Sequence, residues 1–189
     1  MSSHHIIRDE QEPPVLVFQL NGNWEELLEL LGWSPILLIN PILKETFEIK
    51  QTKFDGLLIN EYVTVIEGNH DLVYSDDNLS DELLKWIELK NCTAINIFCN
   101  DKIMMDLFQR FKSKPLPVPL IFFTEIGKYI LKPDSIFKKW YPEEFKIGII
   151  NDDIKKTRNL KQEQGGYWVE KAGFVRVEVE GNLVLIKEK

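Results

Sequence analysis

The hydrophobic pattern changes character two-thirds of the way along the chain, and that change limits the folds open to it. Up to about residue 125, short apolar runs alternate with amphipathic stretches of helical period. Strands are expected at 15–18, 36–39, 54–59, 94–99 and 120–123, with a more alternating stretch at 61–67. Helices are expected at 24–31, 80–89 and 102–111. A strand covered on both faces reads as an unbroken Val/Ile/Leu run, so this alternation predicts a largely parallel sheet flanked by helices. Beyond residue 125 the expected strands at 129–131, 146–150, 167–170, 173–179 and 183–186 have no helix between them. Val175, Val177 and Val179 alternate with Arg176, Glu178 and Glu180, as in a half-exposed antiparallel strand, and Gly181-Asn182 is turn chemistry. The expected fold class is therefore α/β: a mostly parallel α/β domain over 1–125, then a small antiparallel β-sandwich domain over 126–189.

Local signals sharpen the helices. Asn23 suits the N-cap of the first, Leu27, Leu28 and Leu31 form its apolar face, and Gly32 stops it. Leu83, Leu84, Trp86 and Ile87 make the stripe of the second, with Asp77 or Ser80 as its expected cap. Met104, Met105, Leu107, Phe108 and Phe111 make that of the third.

Charge and cysteine content narrow the function classes. The net charge of −7 argues against a nucleic-acid partner or an anionic membrane surface. No apolar run approaches the ~18 residues of a membrane helix, and the polar start does not suit a signal peptide. Cys92 and Cys99 lack a CxxC spacing and read as core thiols, which fits a reducing, cytoplasmic location.

No P-loop, GxGxxG, HExxH or GxSxG motif is present. His4 and His5 lie in a polar arm, and His70 follows a turn. Asp71, Asp76, Asp77 and Asp81 cluster ahead of the second helix. Such carboxylates can hold Mg²⁺ beside nucleotide phosphates, or simply cap and solvate a helix start. Trp140-Tyr141 suits either a ring ligand or, more economically, an aromatic plug under the β domain.

Taken in order, several short segments resemble one bacterial branch of the thiamine pyrophosphokinases. They are the opening from Ser2 to Pro13, Trp33-Ser34-Pro35, Lys53-Phe54-Asp55 before Leu57-Leu58, Phe137-Lys138-Lys139-Trp140-Tyr141, and Thr157-Arg158-Asn159-Leu160-Lys161. The resemblance implies a nucleotide-binding α/β domain followed by a thiamine-binding β domain, and a homodimer. It implies transfer of a diphosphoryl group from ATP to thiamine, giving thiamine diphosphate and AMP, with Mg²⁺ held by clustered aspartates. Such a reaction relies on positioning and charge neutralisation, so metal-holding carboxylates are its machinery.

The resemblance weakens where that machinery should be. The aspartate implied after the second strand is Asn40 here, and the two acids of a Gly-Asp-x-Asp segment fall on Asn60 and Tyr62. In the next acidic segment Asp76 and Asp81 are kept, while a middle acid has become Asn78. Further on, Asp106 is kept, but Met104 stands where an arginine would meet phosphate. The thiamine pocket's Ser-Asn pair falls near Gly166-Tyr167. Asparagine keeps the size of aspartate without its charge, so the frame survives while divalent-metal affinity collapses. The expectation is a thiamine pyrophosphokinase-like protein with lost or much reduced transfer activity and a residual binding or regulatory role. Its candidate nucleotide and metal residues are Asp76, Asp81 and Asp106, with Mg²⁺ and ATP needed only if it is active. The alternatives are a working enzyme with a metal site rebuilt from Asp76, Asp77, Asp81, Asp106 and Glu61, or a non-catalytic interaction protein.

Overall fold

The computed structural model describes residues 12–33, 36–60 and 71–188. The chain divides into two compact units, Met1–Asn100 and Asp101–Lys189. No described helix is long and apolar enough to cross a membrane.

In the first unit, strands β1 (Val15–Val17), β2 (Leu37–Ile39), β3 (Gly56–Asn60), β4 (Leu72–Tyr74) and β5 (Ile95–Phe98) form a parallel sheet in the order β5-β1-β2-β3-β4. Every residue of β1, β2 and β5 is buried, which is why these strands read as plain apolar runs. At the amino-terminal edge two carboxylates serve the backbone. Asp55 accepts the Leu37 N–H (2.8 Å) and Asp71 accepts the Leu57 N–H (2.7 Å), each tying the start of a neighbouring strand.

Helices α1 (Trp24–Leu31), α2 (Lys44–Ile49) and α3 (Leu79–Lys90) connect these strands. On α1 only Leu27 is buried and Leu28 is 47% exposed, so the apolar face is narrower than expected. Asn23 occupies its N-cap position but makes no side-chain cap hydrogen bond. Helix α2 and strand β4 are not expected from the sequence, and the alternating stretch expected at 61–67 lies outside the described residues. A 3-10 turn led by Pro41 feeds the helix, and Phe47 is its one buried residue, so it carries no apolar period. Phe47 packs edge-on against Trp24 and Phe54, with ring centroids 5.2 and 6.5 Å away. The N-cap of α3 is Asn78, not Asp77 or Ser80, and the helix closes through Asn91 in the left-handed region (φ 52°).

The second unit opens with helix α4 (Asp101–Phe111), which buries Met104, Leu107, Phe108 and Phe111 as its spacing predicts. Strand β6 (Leu120–Thr124) forms a hairpin with β7 (Gly127–Pro133) and so belongs to this unit. There follow β8 (Ile136–Tyr141), β9 (Lys146–Ile149), β10 (Ile154–Arg158), β11 (Leu160–Glu163), β12 (Gly166–Val169), β13 (Gly173–Val179) and β14 (Leu183–Glu188). Antiparallel pairing gives a sheet in the order β11-β12-β9-β14-β7-β6, and a second, three-stranded sheet β10-β13-β8. Phe137, Tyr141, Val175, Val177 and Val179 from the small sheet share a core with Ile147, Val169, Val184 and Ile186 from the larger one. Strands β8, β10 and β11 were not expected. The latter two are short, polar and mostly exposed, so neither alternation nor apolar content marks them.

Side chains hold the places where the chain changes sheet. Asn159, between β10 and β11, sits in the left-handed region (φ 61°). Its amide spans to the next such corner, donating to the Lys171 carbonyl (2.8 Å) and accepting the Lys171 N–H (3.1 Å). Buried Asn151 accepts the Leu185 N–H (2.8 Å) and donates to the Leu183 carbonyl (2.9 Å), acting as a short extra strand beside β14. Asp153 accepts the Gly181 N–H (2.7 Å), and a Cβ on Gly181 would lie 2.9 Å from that carboxylate, so a larger residue in the turn would have to push the Asp153 side chain aside.

At the far end of β14, Glu188 accepts from Lys139 (2.5 Å) and from the Tyr141 hydroxyl (2.5 Å), with Lys128 at 3.7 Å. Burial alone would raise its pKa, but the Lys139 and Tyr141 hydrogen bonds outweigh that and hold it below the usual glutamate value. A depressed carboxylate pKa stabilises the fold above the unfolded value and loses that contribution as pH falls through the folded one. Glu188→Gln is therefore expected to lower the melting temperature at pH 7 and to flatten its decline below about pH 4.5. Melting curves between neutral and acid pH measure both, and an unchanged acid decline would show that Glu188 does not drive it.

Candidate functional site

All five strands of the first unit run parallel, so their carboxyl ends share one edge. The order reverses between β1 and β5, where β2 to β4 lie on one side and β5 on the other. In open α/β sheets such a switch point at the carboxyl edge is where ligands bind. Each strand there ends near an asparagine: Asn21 after β1, Asn40 after β2, Asn60 closing β3, Asn78 after β4 and Asn100 after β5.

Most of these amides have a defined structural job. Asn21, itself left-handed (φ 50°), donates to the Cys99 carbonyl (3.0 Å) and so links the β1 and β5 ends. The Gln19 side chain accepts from Asn100 (3.4 Å) across the same switch point. Asn40 accepts the Ile42 N–H (3.1 Å) and caps the 3-10 turn, while its own N–H meets the Val17 carbonyl (2.8 Å). The Asn78 side chain turns back to accept the Ser75 N–H (2.6 Å), closing the loop after β4.

Asn60 differs from these. Its Nδ2 donates to Asp76 Oδ1 (3.3 Å), while its Oδ1 is buried without a hydrogen-bond partner among the described residues. Two carboxylates at this separation would repel unless a cation lay between them. With an amide on one side, the pair is held together by its own hydrogen bond. Asp76 also acts on Tyr74, whose hydroxyl pKa is raised by burial first and by the Asp76 charge second.

The acidic residues grouped by sequence separate in space. Asp76 and Asp77 are exposed in the loop after β4, and Asp81 lies half-buried in the first turn of α3, its N–H on the Asn78 carbonyl. Asp71 precedes β4 at the opposite, amino-terminal edge, so the four do not form one cluster. Asp106 belongs to the second unit, on the exposed side of α4 away from Met104, Leu107 and Phe108. Glu61, Tyr62 and the three histidines His4, His5 and His70 lie outside the described residues. Among the described residues, no three His, Cys, Asp or Glu side chains converge as a metal site. The donor set found at the β3 and β4 ends, one carboxylate already bound by an amide, does not fit Mg²⁺, which prefers carboxylate and water oxygens.

The remaining sequence candidates resolve individually. Cys99 is buried beside β5, whereas Cys92 is half-buried in the turn after α3 with its thiol pushed up to about 11 by burial. Tyr141 is the expected plug, stacked on Phe145 at 5.0 Å, but Trp140 points to the other face of β8 and is 53% exposed. From the sequence Asn21 reads only as turn chemistry, and Gln19 and Asn100 carry no reading of their own. The available signal was the recurrence of a polar amide just past each apolar strand.

Structures of known proteins share this fold. The thiamine pyrophosphokinase from Bacillus subtilis superposes with a TM-score of 0.60, covering 95% of this chain and 99% of that one at 10% identity. The thiamin pyrophosphokinase from Candida albicans gives 0.56 over 95% and 90% at 11% identity. A probable thiamine pyrophosphokinase from Staphylococcus saprophyticus gives 0.55 over 95% and 99% at 10% identity. No family model matches the sequence, and no curated protein matches it by sequence. The chain thus has the thiamine pyrophosphokinase fold, with little of the sequence of the enzymes that share it.

Proposed function

We propose that this protein is a thiamine pyrophosphokinase-like protein that has lost, or nearly lost, diphosphoryl transfer from ATP to thiamine. It keeps the frame for a residual binding or regulatory role, as a cytoplasmic homodimer. The observation that carries this reading is the Asn60–Asp76 hydrogen bond, which closes a pair of strand ends that a metal-dependent transferase would leave to a cation. Asn40, engaged as a helix cap, adds to it, because a capping amide does not need a metal to be satisfied.

The test is to incubate the purified protein with ATP, Mg²⁺ and thiamine and to measure AMP and thiamine diphosphate. The expected result is no product above background. Turnover in the ordinary enzyme range of roughly 1–10³ s⁻¹ would overturn the reading in favour of a working enzyme. Calorimetry with ATP, with and without Mg²⁺, then separates a retained nucleotide site from an inert frame. Heat that does not depend on Mg²⁺ is the expected signature of a retained, metal-free site.

A further inference from the structure

The net charge of −7 conceals two units of opposite sign. Residues 1–100 carry 17 acidic and 6 basic side chains, while residues 101–189 carry 13 and 17, giving −11 and +4. The basic surplus is organised on the solvent face of the small sheet β10-β13-β8. In its register Arg158 of β10 lies directly opposite Arg176 of β13, and Arg176 directly opposite Lys138 of β8. Directly paired residues project to the same face, so the three cations form one row across the sheet. Val175 and Val177, on either side of Arg176, are buried on the other face.

Like charges facing each other across strands destabilise a sheet. Here the arrangement occurs twice in succession. Glu178 offsets part of it, with one oxygen 3.5 Å from Arg176 and the other 3.6 Å from Lys155. Beside the row, two residues along each strand and so roughly 7 Å away, Phe174 pairs with Trp140. These rings are 59% and 53% exposed, and the Lys138 ammonium sits 4.7 Å from the Phe174 ring centroid. An exposed aromatic pair next to a cationic row is a surface with two functions: π faces for flat rings and charges for an anionic backbone.

We infer that this face binds single-stranded nucleic acid, with bases stacked on Phe174 and Trp140 and phosphates on Arg158, Arg176 and Lys138. Stacking on aromatic side chains with a basic track beside them is how proteins hold single strands without reading sequence. The surface is open, and the depression by Arg158 and Arg176 is about 200 Å³. That is below the ~300 Å³ at which small-molecule pockets begin, so an extended polymer fits it better than a free nucleotide. An acidic peptide would satisfy the cations but leave the paired rings unused.

The experiment is fluorescence polarisation of the intact protein with a labelled oligothymidylate, with unlabelled AMP and poly-glutamate as competitors. Binding is expected to weaken about twentyfold between 50 and 200 mM salt, as for three phosphates on a single strand. Trp140→Ala should weaken it about tenfold. Arg176→Thr should also weaken binding, yet raise the melting temperature by about 1–3 °C because it relieves the like-charge row. Lys161→Gln, on the other sheet, should change neither. A purely structural Arg176 would show the opposite, a lower melting temperature with affinity intact, and that result would overturn the inference. So would absence of binding at ~100 µM protein in low salt, or displacement by poly-glutamate as effectively as by unlabelled strand. Sedimentation showing a dimer that Trp140→Ala dissociates, with no strand bound, would assign the face to a second copy instead. The transfer assay reads none of these quantities, so either reading can fail alone.

Discussion

Replacing Asn60 by aspartate is expected to make the stability of this protein depend on a divalent cation. The wild-type amide donates to Asp76 Oδ1 at 3.3 Å. Asn60→Asp removes that donor and sets a second negative oxygen at a comparable distance. A lost hydrogen bond to a charged group plus a repulsion at intermediate dielectric together cost about 2 kcal/mol. For a chain of this length that is roughly 4–8 °C in melting temperature. Two facing carboxylates are also the beginning of an oxygen ligand set for Mg²⁺ or Mn²⁺. In EDTA the variant should therefore melt below wild type, and millimolar Mg²⁺ or Mn²⁺ should restore most of the loss. Wild type should melt at the same temperature with and without the cation. A clear rise of the wild-type melting temperature on adding Mg²⁺ would mean that the amide has not taken the cation's place.

The largest loss of stability is expected from Asn151→Ala. The side chain makes two backbone hydrogen bonds beside β14 and a third, through Nδ2, to Asp153 Oδ1 (3.0 Å). Removing it strands the Leu185 N–H and the Leu183 carbonyl in a buried setting, at about 1–3 kcal/mol for each unsatisfied group. Asp153 loses a partner as well. Burial opposes its ionisation, and the hydrogen bonds from Asn151 and the Gly181 N–H together hold its pKa below the usual aspartate value. A total near 4 kcal/mol is a large share of the ~5–15 kcal/mol available to a folded domain. Urea unfolding of the variant should show it as a lower midpoint with an unchanged slope. A shift worth less than ~1 kcal/mol would mean that water readily replaces the amide.

How legible these features were depends on where their energy comes from. Strands β1, β2 and β5 were readable because burial on both faces leaves an apolar run, and α4 because four buried residues recur at helical spacing. Helix α2 hides because its single anchor, Phe47, has no periodic neighbours. Strands β10 and β11 hide because they are held by pairing to β13 and β12, which is backbone hydrogen bonding and leaves no mark on composition. At the candidate site the sequence resemblance pointed to the amides at Asn40, Asn60 and Asn78, and all three have specific hydrogen bonds. Their partners are another matter. That Asn60 meets Asp76, while Asp71 serves the far edge of the sheet, follows only from strand direction and register.

The place of β14 bears on how the second unit assembles. It is the last strand in chain order, yet it lies between β9 and β7 near the middle of its sheet, with Leu183 against Pro133. Until that final segment is available, β7 and β9 each present an unpaired edge and the shared core lacks Val184 and Ile186. The five strands of the first unit all precede β14 in the chain. On a ribosome the first unit is thus expected to fold while the second remains open, a late and long-range closure that favours slow maturation and transient edge-to-edge association.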